Sequence, residues 1–114
     1  MKLKKTLLAL AIGTTLVTSA LADINIGVNL SLTGGGAALG LPMQTMIKSF
    51  PQTIAGEKVN VIVLDDASDP GKAAQNGRRF VTQDKVDVIF GGNITPTSAA
   101  ITPIATEAQT VQVS

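Results

Sequence analysis

The chain has 114 residues with nine basic and eight acidic side chains, and it contains neither cysteine nor histidine. The lack of cysteine excludes a disulfide framework and a thiolate metal site, and the lack of histidine removes the most common general base and metal ligand. The composition therefore argues against catalysis, and we expect no enzyme activity, no metal site and no cofactor.

The first residues have the three parts of a secretory signal peptide. Three lysines lie within Met1–Lys5, an uncharged and mostly apolar run extends over Thr6–Leu21, and Ala20-Leu21-Ala22 is a small-x-small cleavage site. A membrane anchor is the alternative, but the run is short for a span and is diluted by glycine, threonine and serine. We therefore expect residues 1–22 to be removed by cleavage after Ala22 and the remainder to reach the periplasm.

Cleavage would also change the charge of the chain. Three of the nine basic residues belong to the predicted signal, so six basic residues remain against eight acidic ones, a net charge of −2. No basic patch remains that would indicate a nucleic-acid partner. Removal of 22 residues leaves 92, enough for one small domain with a modest core.

The predicted mature chain alternates apolar, β-branched runs with stretches of helical spacing. In chain order the predicted elements are a strand at Ile24–Leu30, a helix within Leu41–Ile54, a strand at Val59–Leu64, a helix from Pro70 to Gln83, a strand at Val86–Phe90, a helix from Thr97 to Ala108 and a strand at Thr110–Val113. Pro42 suits the first turn of its helix, whereas Pro51 should end or bend that helix near Phe50.

This β-α-β-α-β-α-β order with short connections predicts an α/β fold, in which a parallel sheet is covered by helices on both faces. Ligands of such folds bind beyond the carboxyl ends of the strands. The loops that follow the first three strands are therefore the candidate sites: Ser31–Gly40, Asp65–Pro70 and Gly91–Ser98.

The first of these loops contains Gly34, Gly36 and Gly40. A dinucleotide fingerprint has the spacing G-x-G-x-x-G directly after its strand and an acidic residue about 20 positions later. Here the spacing is one residue too long, three residues separate it from the strand, and Asp65 lies too far downstream. We therefore expect an open loop whose backbone approaches a small ligand, with a purely structural role of the glycines as the alternative.

The second loop contains Asp65, Asp66 and Asp69, which could form a phosphoacceptor or metal cluster. No histidine or second carboxylate group accompanies them at ligand spacing, and a predicted exported chain lies away from cytoplasmic phosphotransfer. Turn formation and capping of the helix that begins at Pro70 explain all three residues.

The third loop brings three hydroxyl residues, Thr95, Thr97 and Ser98, to the start of a predicted helix. Hydroxyls and free N–H groups at a helix N-terminus suit a carboxylate. The alternative is that these hydroxyls only cap the helix. Capping needs one hydroxyl and three are present, which favours ligand contact.

The segments IGVNLSLTGGGAALG, VIVLDDASDP and DKVDVIFGGNITPTSAA, in this order and spacing, resemble the N-terminal lobe of periplasmic solute-binding proteins of ABC importers, in particular the branched-chain amino acid, or leucine-binding-protein, family. The resemblance covers residues 23–114. It implies a type I clamshell of two Rossmann-like, doubly wound α/β lobes, of which this chain is part of the first. It also implies an amino acid or similar small carboxylate as ligand and an inner-membrane ABC permease as partner.

The resemblance also implies the roles of particular residues. A hydroxyl residue in the loop after the third strand binds the ligand's carboxylate in this family, and this position corresponds to Thr95, with Thr97 and Ser98 beside it. An aromatic residue of the first loop often packs on the ligand, and Leu39 stands at that position here. A complete member has two lobes, so we expect this chain to be a fragment that does not bind ligand alone.

Two other functions remain open from the sequence. A sensing lobe that passes a signal to a membrane receptor would have the same pattern, because the same clamshell is used for sensing. A nucleotide-dependent enzyme with a Rossmann-like domain is disfavoured by the glycine spacing and the missing histidine.

Overall fold

The structure, a computed structural model, describes residues 22–114. The predicted signal peptide lies outside these residues except for Ala22, so its presence and its cleavage remain predictions. No helix within residues 22–114 is long and apolar enough to cross a bilayer.

The described residues form eight elements: β1 (Ile24–Leu30), α1 (Ala37–Ile47), β2 (Thr53–Ile54), β3 (Glu57–Asp65), α2 (Pro70–Thr82), β4 (Val88–Phe90), α3 (Thr95–Glu107) and β5 (Val111–Val113). The strands form one sheet in the order β2-β3-β1-β4-β5. β3, β1, β4 and β5 are parallel, and β2 is antiparallel to β3. The predicted parallel sheet is confirmed, with a short antiparallel edge strand added.

Alternate residues of β1 point to opposite faces of this sheet, as the period of a strand requires. Ile26, Val28 and Leu30 pack on one face against the end of α1 and the residues after it. The opposite face is covered by α2 and α3, whose buried residues form a cluster with β4: Ala73, Phe80, Val86, Ile89, Ile101 and Ala105. Helices therefore lie on both faces, which confirms the doubly wound fold.

The first helix begins four residues earlier than predicted. The Gly36 carbonyl accepts hydrogen bonds from the N–H groups of Leu39 and Gly40 at 3.0 and 3.2 Å, so the glycine loop itself supplies the first turn. Pro42 consequently lies inside the helix rather than in its first turn. At Gly40 a Cβ atom would collide with the Ser31 carbonyl oxygen, so only glycine allows α1 to approach the end of β1 this closely.

The segment after α1 forms a hairpin, of which the sequence pattern predicts only the turn at Ala55 and Gly56. α1 ends at Ile47, ahead of Pro51, and Thr53 and Ile54 pair with Lys58 and Glu57 across a two-residue turn. Ala55 and Gly56 in this turn have φ of 52° and 82°. Two consecutive positive φ values are typical of a type I′ hairpin turn, so the predicted turn is confirmed and continues into strand pairing.

The second helix agrees with its prediction at both ends. The Asp69 side chain accepts a hydrogen bond from the Lys72 N–H at 2.7 Å, and Pro70 follows as the first helical residue. An aspartate cap and a proline at the first position satisfy or remove N–H groups that an α-helix otherwise leaves free.

The strand order places a topological switch between β1 and β4. The chain leaves β1 through α1 toward β3 on one side, whereas α2 carries it back across β1 to β4 on the other side. A crevice forms at such a point, because the loops after the two neighbouring strands diverge to opposite faces of the sheet. The loop after β1 and the loop after β4 meet at this crevice.

Candidate ligand-binding site at the carboxyl ends of β1 and β4

The loop after β4 is held to the loop after β1 by Asn93. The Asn93 side-chain oxygen accepts a hydrogen bond from the Ser31 N–H at 2.7 Å, and its nitrogen donates to the Gly36 carbonyl at 3.4 Å. One amide side chain therefore fixes the distance between the two walls of the crevice. The sequence carries no signal for this role of Asn93, because its partners are more than 50 positions away in the chain.

A buried polar network lies directly below these loops. The Asp66 carboxylate accepts hydrogen bonds from the Asn29 amide and the Ser31 hydroxyl, both at 2.7 Å, and from the Ser68 N–H at 2.8 Å. Asn76 of α2 completes it by donating to the Asn29 side chain at 2.8 Å. Asn29, Ser31 and Asp66 are fully buried. The network joins the ends of β1 and β3 and so gives the crevice a rigid floor.

The Asp65 carboxylate lies outside this network and connects the loop after β1 to the loop after β3. Burial by itself raises the pKa of Asp65, but hydrogen bonds from the Ala67 N–H, from the Thr33 hydroxyl and from the N–H groups of Leu32 and Thr33 outweigh it and hold the pKa below its usual value. The carboxylate is therefore used by backbone and hydroxyl donors. Asp65 and Asp66 accept hydrogen bonds from N–H groups two residues later and Asp69 caps α2, as predicted, but Asp65 and Asp66 also bind the end of β1 and the loop after it, which the sequence did not predict. Within residues 22–114 no three acidic side chains are arranged to hold a metal ion.

A polar cleft of about 440 Å³ opens at the start of α3. We call it the polar cleft and define it by the residues that line it: Gly92, Asn93, Ile94, Thr95, Ser98, Ala99, Thr102 and Ser114. No side chain that lines this cleft is ionisable. A charged ligand group at this place would therefore be bound by dipoles and hydrogen-bond donors of the protein, not by an ion pair.

The first turn of α3 lies beside this cleft, because Thr95 and Ser98 belong to both. Its N-cap is Ile94, and no side chain in the described part of the chain caps the helix. Pro96 has no N–H, and the Ser98 N–H is bonded to the Ile94 carbonyl at 3.1 Å. The N–H groups of Thr95 and Thr97 belong to the first turn, where an α-helix supplies no carbonyl partner. The positive end of the helix dipole lies at the same point.

The three predicted hydroxyl residues divide between two faces of α3. Thr95 is exposed and Ser98 half-buried, and both line the polar cleft. Thr97 is fully buried, and its hydroxyl donates to the Ile94 carbonyl at 3.1 Å. The alternative that one of these hydroxyls caps the helix is wrong, because the N-terminus of α3 has no side-chain cap. The Thr97 hydroxyl is nevertheless bonded within the protein and does not line the cleft.

Gly92 explains why Thr97 can turn inward. A Cβ atom at Gly92 would collide with the Thr97 hydroxyl oxygen, and one at Gly91, where φ is +113°, would collide with the Asn29 carbonyl oxygen. These two glycines let the loop after β4 lie against both β1 and α3.

The fourth predicted site residue, Leu39, lies apart from the polar cleft. It is in the first turn of α1 and is 58% exposed. It lines neither the polar cleft nor the apolar cavity of about 300 Å³ that lies between α1 and the sheet. Contact between Leu39 and a ligand remains a prediction.

Comparison with known proteins agrees with this geometry. A loop-lined crevice at the switch point of a doubly wound sheet is characteristic of a ligand-binding lobe. The family model described as periplasmic binding protein matches residues 23–114, and the chain belongs to this family. The fold is that of part of one lobe of a type I periplasmic binding protein.

The chain is similar to two proteins with general descriptions. An amino acid binding protein of Pseudomonas aeruginosa is 34% identical over 96 residues, which cover 77% of this chain and 26% of the relative. The solved structure of an extracellular ligand-binding receptor from Rhodopseudomonas palustris HaA2 is 47% identical and superposes with a TM-score of 0.78, covering 80% of this chain and 25% of that one.

Two further solved structures contain a ligand. A branched-chain amino acid transporter substrate binding protein from Streptococcus pneumoniae, in complex with isoleucine, is 28% identical with a TM-score of 0.71, covering 80% of this chain and 28% of that one. An ABC transporter solute binding protein from Rhodopseudomonas palustris BisB5, in complex with 3,4-dihydroxybenzoic acid, is 34% identical with a TM-score of 0.71, covering 79% and 26%.

These comparisons confirm the resemblance to branched-chain amino acid binding proteins of ABC importers. The chain spans about a quarter of the length of the relatives that it matches.

Proposed function

We propose that this chain forms one wall of the binding site of a periplasmic solute-binding protein, which captures an amino acid or similar small carboxylate for an inner-membrane ABC permease. The predicted signal peptide supplies the export that this function needs. Capture requires no chemical step, in keeping with the description of the relatives as binding proteins.

The polar cleft at the start of α3 is the observation that carries this proposal. The hydroxyl residues Thr95 and Ser98 line it, it lies at the positive end of the α3 dipole, and none of its lining side chains is ionisable. Such a site favours an anion over a cation, because the N–H groups carry partial positive charge and none of the lining side chains carries a negative charge.

The ligands of the solved neighbours support the same chemistry. Isoleucine and 3,4-dihydroxybenzoic acid differ in size, shape and in the presence of an ammonium group, and the group that they share is a carboxylate. A site that binds this shared group with helix donors fits both kinds of ligand. The remainder of the ligand would contact other walls of a two-lobed site, outside the quarter of these relatives that this chain matches.

Thr95 is the residue we expect to contact the carboxylate directly. Thr95→Ala, made in the two-lobed form of the protein, should weaken binding of the carboxylate ligand by about 1–3 kcal/mol, because a hydroxyl bonded to a charged group is lost. Titration calorimetry measures this difference. Thr106→Ala is the matched control, since Thr106 is an exposed threonine of the same helix, far from the polar cleft, whose hydroxyl bonds to the Thr102 carbonyl.

Equal affinities of Thr95→Ala and wild type would remove Thr95 from the site. An equal loss in both variants would show a general effect on α3 rather than a ligand contact.

A sensing lobe is the second candidate, because the 47% identical neighbour is described as an extracellular ligand-binding receptor. The two functions share the site and differ in the partner. A permease and an ATPase encoded beside this gene would support import, whereas a membrane-spanning signalling segment in the same reading frame would support sensing.

A further inference from the structure

Gln112 is a polar residue at a position where the sheet is otherwise apolar. It lies in β5 opposite Ile89 of β4, and Ile89 is fully buried in the cluster below α2 and α3. Val113, the next residue, lines the apolar cavity on the other face of the sheet. The Gln112 side chain therefore points to the α3 side and reaches the first turn of that helix.

The nitrogen of the Gln112 amide is surrounded by acceptors from the loop after β4 and from the first turn of α3. It lies 3.0 Å from the Gly91 carbonyl oxygen, 3.2 Å from the Ser98 carbonyl oxygen and 3.3 Å from the Ser98 hydroxyl oxygen. Two carbonyl oxygens can only accept, so the amide must direct its nitrogen and not its oxygen toward them.

This contact determines how the Ser98 hydroxyl behaves. A hydroxyl has one hydrogen to donate and two lone pairs that accept. When Ser98 accepts from the Gln112 amide, its own hydrogen remains available on the side of the polar cleft. The amide nitrogen has two hydrogens, so one bonds to the Gly91 carbonyl, which would repel an anion, and the other is shared between the Ser98 carbonyl and the Ser98 hydroxyl.

The oxygen of the Gln112 amide lowers the stability of the fold. The Gln112 side-chain oxygen is buried and has no hydrogen-bond partner within the described residues. An apolar side chain at this position would avoid the cost of an unpaired buried acceptor. A residue that breaks the local packing rule in this way is expected where a functional site needs its other contacts.

We propose that Gln112 is a positioning residue of the polar cleft, which holds the first turn of α3 against Gly91 and sets the Ser98 hydroxyl as a hydrogen-bond donor to the ligand. The inference rests on the proposed function, and it adds the expectation that the site prefers a carboxylate to a carboxamide. A neutral carboxamide oxygen accepts the Ser98 hydrogen more weakly than a charged carboxylate oxygen does.

Gln112→Met tests this role, because methionine has a similar length and no amide. Gln75→Met is the control, since Gln75 is exposed on α2. The two-lobed protein is titrated with the standard amino acids and with hydroxybenzoic acids, and the tightest ligand is then compared with its own carboxamide. We expect Gln112→Met to reduce the preference for the carboxylate by about fivefold or more, the difference between a charged and a neutral hydrogen bond, while Gln75→Met preserves it.

A purely structural role of Gln112 would lower the affinities for both ligands equally and leave their ratio unchanged, which would overturn the inference alone. Failure of every tested carboxylate to bind the wild type would overturn the proposed function, and the inference with it.

Gln112→Glu provides a second test if the methionine variant does not fold. The glutamate side chain accepts the Ser98 hydrogen instead of donating to its oxygen, so we expect the carboxylate to lose more affinity than the carboxamide. A preference for the carboxylate equal to that of wild type would contradict the proposal.

Discussion

Phe80→Ala should leave the chain largely unfolded. Phe80 is fully buried and is the largest side chain of the cluster between α2, α3 and the sheet. Removal of a buried phenylalanine ring costs about 3–5 kcal/mol, which approaches or exceeds the whole stability of many small domains.

The cost should lie at the upper end because the site cannot easily close. The ring of Phe80 lies against Gly27 of β1, where a Cβ atom would be only 2.8 Å from the ring carbon Cγ. Backbone of β1 therefore forms one wall of the ring's pocket, and a hydrogen-bonded central strand cannot move inward to fill the space. Cavities that the surrounding structure cannot fill are the most destabilising.

Urea unfolding followed by circular dichroism measures this effect. Arg78→Ala is the control on the same helix, because Arg78 is exposed and its loss should change the free energy of unfolding by less than about 0.5 kcal/mol. A Phe80→Ala chain with the unfolding midpoint of Arg78→Ala would show that the cluster below α2 and α3 does not stabilise the fold.

Asp66→Ala is the second substitution with a large expected effect. It leaves two buried donors, the Asn29 amide and the Ser31 hydroxyl, without their shared acceptor. Each unsatisfied buried group costs about 1–3 kcal/mol, so we expect a loss of about 3 kcal/mol or more in the free energy of unfolding. The floor of the crevice would lose its rigidity at the same time.

Asp69→Ala is the matched control for this prediction. Asp69 is an exposed aspartate three residues away, and its side chain makes one cap hydrogen bond to the Lys72 N–H. Loss of a helix cap costs about 1 kcal/mol. Urea unfolding of both variants compares them, and an Asp66→Ala loss no greater than that of Asp69→Ala would mean that the buried network contributes little.

The order of the elements follows from local patterns in the sequence. The apolar runs at Ile24–Leu30 and Val59–Leu64 are strands because they are β-branched and bounded by turn residues. The α2 helix begins where Asp69 and Pro70 place it, because capping is a local interaction. The Thr53–Ile54 strand escaped prediction because two residues carry no periodicity, and it forms through pairing with β3.

The candidate site was only partly predictable, because local patterns in the sequence do not show which side chains of α3 face the cleft. Thr95 and Ser98 are three residues apart, so they lie on the same face of α3, which borders the polar cleft. Thr97 follows Thr95 by two positions and therefore lies on the buried face of the helix. A helix that begins at Thr95 places Thr97 on a different face from Thr95 and Ser98. The predicted helix began at Thr97, two residues late, so this difference was not predicted.

Long-range partners account for the rest. Asn93 and Ser31, or Gln112 and Gly91, meet only because β1, β4 and β5 are neighbours in the sheet. A single sequence without the fold gives no signal for these pairs, since each contact depends on strand order and register.

Binding of a small carboxylate at the start of α3 is the central claim, and titration of the two-lobed protein with carboxylates and their matching carboxamides tests it most directly. We expect one amino acid or aromatic acid to bind saturably, with its carboxamide weaker by about tenfold or more, because a hydrogen bond to a charged carboxylate is stronger than one to a neutral carboxamide. Equal binding of a carboxylate and its carboxamide, or binding of neither across the whole set, would contradict it.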